Sequence, residues 1–117
     1  MATYTVYGIP NCDTVQKTLK WLAAHKISVQ FHDYKTQGIT TAQLKKWSSQ
    51  VGWELLLNKK SATWRALTPG EQAPVTNEKN AIALMAAATS IIKRPVIEKD
   101  GRVIAVGFDE KRYAELF

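Results

Sequence analysis

A second cysteine is missing from this 117-residue chain. With Cys12 as its one thiol, an internal disulfide is excluded, and the thiol is expected to be free in a reducing compartment, the cytoplasm. Long hydrophobic runs are missing too. The longest, Ala81 to Ala88, is far too short to cross a bilayer, so no membrane partner is expected. The opening Met1-Ala2-Thr3-Tyr4 carries neither the charged nor the apolar region of a signal peptide. Zinc-type ligand spacing is absent: His25 and His32 stand apart from Cys12 in the sequence, and both are expected at the surface. Nor does a stripe of arginines with stacking aromatics occur. The +6 excess of 16 Lys and Arg over 10 Asp and Glu is scattered, densest at Lys45-Lys46 and Lys59-Lys60. It reads as a solvated basic surface, suited to an anionic small molecule rather than to nucleic acid.

What is present describes one folded domain. Hydrophobic residues make up 45% and charged residues 22%, and no repeat, low-complexity tract or linker divides residues 1–117. Thr3 to Tyr7 alternates as a strand, with Tyr4 and Val6 on one side, and Gly8 to Asn11 breaks it. From Cys12, Val15, Leu19, Leu22 and Ala23 recur at helical spacing. Ser28 to Asp33 reads as a second strand. Thr40 with Gln43 offers a capping box ahead of a helix burying Leu44, Trp47 and Val51. Gly52 and Thr68-Pro69-Gly70 break the helical pieces that follow. Asn77 or Thr76 caps an Ala-rich helix running to about Thr89, with Ile82, Met85 and Ala86 inward. Val96 to Glu98 and Val103 to Val106 flank Asp100-Gly101, a two-residue hairpin signal. Asp109 caps a last helix. The order is β-α-β, a helical insertion at about 38–90, then β-β-α. It combines most simply into an α/β fold, a mixed sheet with helices on both faces in the thioredoxin-like arrangement.

Cys12 follows the Gly-Ile-Pro-Asn turn and opens a helix, where backbone N–H groups and the positive dipole end favour a thiolate. Asp13 opposes this as an adjacent carboxylate, although it also suits the dipole. A nucleophilic thiolate is therefore expected, in place of a buried, inert cysteine. Val15 stands where a C-x-x-C pair would need its second cysteine. Attack on an oxidised substrate must then be resolved by an outside thiol.

Three segments, YGIPNCDTVQKTLKWL at 7–22, LLLNKKSATWRAL at 55–67 and IIKRPVIEKDGRVIAVGF at 91–108, resemble the ArsC-like family. The likeness lies in the YffB and Spx branch of the thioredoxin superfamily, with the first segment nearest to YffB. The resemblance covers nearly the whole chain and places the family's catalytic cysteine on Cys12. It puts the arginine preceding the family's cis-proline on Arg94, with Pro95 as that proline. A cis peptide there would present backbone groups to a bound thiol as an added strand does. The resemblance thus implies a glutathione-dependent monothiol reductase, with glutathione as co-substrate and no bound cofactor. Asn11 and Asp13 would fix the loop and helix start, and Lys17, Arg65 and Arg94 would supply positive charge for an anion. A glutaredoxin-coupled arsenate reductase is the alternative. Those relatives use three arginines, the first falling here on Asn58, with Lys59 next to it, and the third on Ala105. Spx relatives bind the RNA polymerase α subunit and sense oxidation through C-x-x-C, which this chain lacks.

Overall fold

The computed structural model describes residues 4–117, so Thr3, expected to open the first strand, lies outside the described residues. The chain divides into two compact units, residues 4–37 with Arg94–Phe117, and Gly38–Lys93.

In the first unit, strand β1 (Tyr4–Gly8) is followed by helix α1 (Asp13–Ala24), strand β2 (Val29–Asp33) and the single turn α2 (Tyr34–Gln37). After residue 93 the unit resumes with β3 (Val96–Lys99) and β4 (Arg102–Val106), and it ends with the C-terminal helix Glu110–Leu116. The four strands form one mixed sheet in the order β2-β1-β3-β4, with β1 parallel to β2 and antiparallel to β3. Alternation along β1 sorts its two faces. Val6 turns into a core shared with Leu22 of α1, Ile97, Ala105 and Tyr113 of the last helix, and Tyr7 points the other way, toward Glu98. Two helices thus cover one face of the sheet by burying their apolar stripes. The stripe of α1 runs through Val15, Thr18 and Leu22, and Ala23 is exposed. Ala23 sits eight residues, or about 80°, off the Val15 direction at 100° per residue, whereas Thr18 faces inward. The Thr18 hydroxyl donates to the Thr14 carbonyl oxygen at 2.9 Å, which makes its burial tolerable.

The hairpin between β3 and β4 turns on Asp100 and Gly101, at φ 51° and 83°, the two positive values that a type I′ turn requires. Asp109 caps the C-terminal helix, its Oδ1 accepting the Arg112 N–H at 3.1 Å.

The second unit is helical: α3 (Thr41–Val51), α4 (Trp53–Leu56), α5 (Ala62–Ala66), α6 (Pro69–Gln72), α7 (Glu78–Ala87) and a 3₁₀ turn, Thr89–Ile91. The C-terminal helix of the first unit is therefore α8. Leu44, Trp47, Leu56 and Met85 are fully buried. Thr40 and Asn77 cap α3 and α7 by accepting N–H groups three residues on. Helix α7 stops at Ala87, where Ala88 leaves helical geometry, short of Thr89. Thr68-Pro69-Gly70 starts a helix instead of merely breaking one. Thr68 and Glu71 form a reciprocal capping box, and Pro69 takes the first helical position, where a missing N–H is harmless.

Candidate functional site

The turn before Cys12 is set by local bonds. The Cys12 N–H reaches the Ile9 carbonyl at 3.2 Å, and the Cys12 carbonyl accepts the Gln16 N–H at 2.9 Å as the first bond of α1. From inside the helix, the Gln16 side-chain amide donates to the Pro10 carbonyl at 3.1 Å and ties the loop down. Gly8 permits the close approach of strand and helix: a Cβ built there would stand 2.7 Å from Val15 Cγ2. Cys12 is the N-cap residue, in extended geometry, and its side chain makes no capping hydrogen bond. The half-buried thiol therefore lies where the N–H groups of the first turn have no intrahelical acceptor. Asn11, Asp13 and Lys17 are exposed around it.

The pairing of Tyr7 with Val96 brings Arg94 and Pro95 to the same end of the sheet as Gly8 and the Cys12 turn. The Arg94–Pro95 peptide is cis. Pro95 is buried, and its carbonyl accepts the Gly107 N–H at 2.8 Å, which ties it to the residue after β4. Arg94 is half-buried. Among the described residues, neither its backbone N–H and C=O nor its guanidinium makes a hydrogen bond.

Around this end gathers a cluster that sequence reasoning missed. Tyr7 donates its hydroxyl to Glu98 Oε1 at 2.8 Å, and Glu98 is 7% exposed. The rings of Tyr7 and His32 lie 4.8 Å apart, and those of His32 and Tyr34 6.2 Å apart. His32, expected at the surface, is half-buried by these contacts, and His25 is exposed, stacked on Trp21 at 3.8 Å. Burial, followed by the Glu98 hydrogen bond and charge, pushes the Tyr7 phenol far above its ordinary range. Burial raises Tyr34 as well, against a lowering pull from Arg94. The available sequence signal was an acid inside the apolar strand Val96-Ile97-Glu98. Glu98 and Tyr7 meet only through strand pairing 91 residues apart.

Arg65 belongs to the second unit, exposed in the last turn of α5 beside Trp64, which is 8% exposed. Nearby, Asn58 Oδ1 accepts the Lys60 N–H at 3.0 Å, and Lys59 Nζ lies 5.6 Å from the Trp64 ring centre. In the first unit, Ala105 is 5% exposed, within the core under the sheet. Among the described residues no group of three or more His, Cys, Asp or Glu side chains could share a metal ion. Among them, too, no helix is long and apolar enough to cross a membrane.

Residues 7–116 match the ArsC family. The chain belongs to the ArsC family. An uncharacterized protein of Haemophilus influenzae is 46% identical over 114 residues, covering 97% of both chains. The solved structure of a YffB protein is 44% identical, covers 96% of both chains and superposes with a TM-score of 0.89. An arsenate reductase related protein from Brucella melitensis is 41% identical over 97% of this chain and 92% of its own, with a TM-score of 0.78. As an ArsC-family chain near YffB, the protein has the thioredoxin-like mixed fold expected from its sequence.

Proposed function

We propose that this ArsC-family chain is a glutathione-dependent monothiol reductase with Cys12 as its nucleophile. The observation that carries this reading is the pairing of a half-exposed N-cap thiol with a residue, Arg94, whose backbone groups have no hydrogen-bond partner among the described residues. A peptide-like thiol can satisfy those groups as an added strand and bring its sulfur to Cys12. In the first step the Cys12 thiolate attacks the glutathione sulfur of a mixed disulfide. The old S–S bond breaks, Cys12 becomes disulfide-bonded to glutathione, and the substrate leaves as a thiolate. In the second step a glutathione thiolate attacks that bond, restoring Cys12 and releasing oxidised glutathione. With no second cysteine in the chain, the second thiol comes from solution or from a partner such as glutaredoxin. This cycle needs a reducing compartment, and the cytoplasm is one. Asn11 and Asp13 hold the loop and helix start, Lys17 and Arg94 supply positive charge, and Pro95 shapes the backbone clamp.

The test is turnover of a glutathione mixed disulfide by the wild-type chain and by Cys12→Ser. Loss of turnover and of the covalent glutathione adduct in the variant is expected, and equal turnover by both rejects the reading. Arsenate reduction is the second reading, motivated by the relative from Brucella. Against it stand Ala105, sealed in the core, and Asn58, engaged in its own turn, where two oxyanion arginines would fall. We expect no glutathione-dependent arsenite formation. Its appearance, with loss in Arg94→Ala, would establish that reading instead.

A further inference from the structure

Tyr34 is 2% exposed, and its hydroxyl is the one buried side-chain polar atom among the described residues without a hydrogen-bond partner. A hydroxyl removed from water and left unbonded destabilises the fold, and phenylalanine would fill the same space without that cost. Its surroundings point to a use. The Tyr34 ring stacks on Tyr7 at 6.4 Å, and the Tyr7 hydroxyl is already committed to Glu98. The Tyr7–Val96 pairing sets Arg94 at this end of the sheet, and its positive charge acts on the Tyr34 phenol. The Arg94 guanidinium, like the Tyr34 hydroxyl, makes no hydrogen bond among the described residues. A guanidinium that grips a carboxylate uses one edge of its fork, and its remaining N–H groups need an acceptor if the grip is to keep one direction.

We propose that Tyr34 is a positioning residue for Arg94. When a carboxylate-bearing disulfide occupies the Cys12 site, the Tyr34 oxygen accepts a hydrogen bond from the guanidinium edge that the carboxylate leaves unused. Tyr34 thereby sets the preference for anionic over uncharged disulfides. This inference rests on the reading of Cys12 as a thiol-exchange nucleophile.

The experiment compares the rate at which Cys12 exchanges with oxidised glutathione and with uncharged 2-hydroxyethyl disulfide. Mass spectrometry follows the reaction in the full-length wild type, Tyr34→Phe, Arg94→Ala and the double variant. In each reaction the Cys12 sulfur forms a bond to one disulfide sulfur and the other leaves as a thiolate. Tyr34→Phe is expected to slow exchange with oxidised glutathione by about tenfold, the size of one hydrogen bond to a charged group. Exchange with the uncharged disulfide should keep its rate, and Tm should hold or rise by up to about 5 °C. The double variant should be no slower than Arg94→Ala. Unchanged exchange in Tyr34→Phe, equal slowing with both disulfides, additive losses in the double variant, or a lowered Tm would each overturn the proposal. A wild-type Cys12 inert to both disulfides would overturn the reductase reading itself, so the two failures are told apart.

Discussion

Two tyrosines a few ångströms apart make opposite demands on the fold. The Tyr7 hydroxyl is bonded to a carboxyl that is 7% exposed, and the Tyr34 hydroxyl is bonded to nothing. Removing the oxygen of Tyr7 takes a hydrogen bond from a buried acid, and Tyr7→Phe is expected to cost about 1–3 kcal/mol in urea unfolding. Tyr34→Phe should be neutral or stabilising under the same assay. Equal losses in the two variants would show that neither hydroxyl is distinguished by its partner. The turn before Cys12 and the start of α1 could be read from sequence because they are local: a turn, a helix start and a sulfur lie within a few residues. Tyr34 could not, since an unmet hydroxyl exists only after β2, β1 and β3 have been packed side by side.

Helix α1 and strand β1 approach closely where Gly8 faces Val15. Val15 is fully buried and cannot withdraw from a new methyl group that would arrive at 2.7 Å. Gly8→Ala should therefore destabilise the protein by about 1–3 kcal/mol and alter the alkylation rate of Cys12, four residues on. Adding Val15→Ala should return part of both effects. The caps at Thr40, Asn77 and Asp109 and the Asp100-Gly101 hairpin were legible in advance, because a side chain and the N–H it accepts lie within three residues. Ala23 and the Thr68 helix start were misjudged where a small residue or a proline fits two environments equally well. Strand order was not legible from pattern alone: alternation reports which face a residue takes, never which strand lies beside it.

Across the molecule, three of the four tyrosines carry phenols raised above the ordinary value of 10.0, chiefly by burial: Tyr7 and Tyr34 strongly, and Tyr113 to about 12. The folded chain holds these protons more tightly than the unfolded chain does. Their contribution to stability is complete below pH 10 and is lost as pH rises from there through the folded-state values. Tm should stay level to about pH 9.5 and fall steadily toward pH 12, with tyrosinate absorbance rising together with unfolding. Ionisation of Tyr7, Tyr34 or Tyr113 well ahead of unfolding would contradict their burial. The order β2-β1-β3-β4 also bears on synthesis, because β1 must wait for β3, a neighbour made only after the whole of Gly38–Lys93. A ribosome adding about 5–20 residues per second exposes the nascent sulfur for several seconds before Arg94 and Pro95 emerge. A chain released before Arg94 would carry a thiol lacking its strand neighbour, so this end of the sheet exists only once β3 has been made.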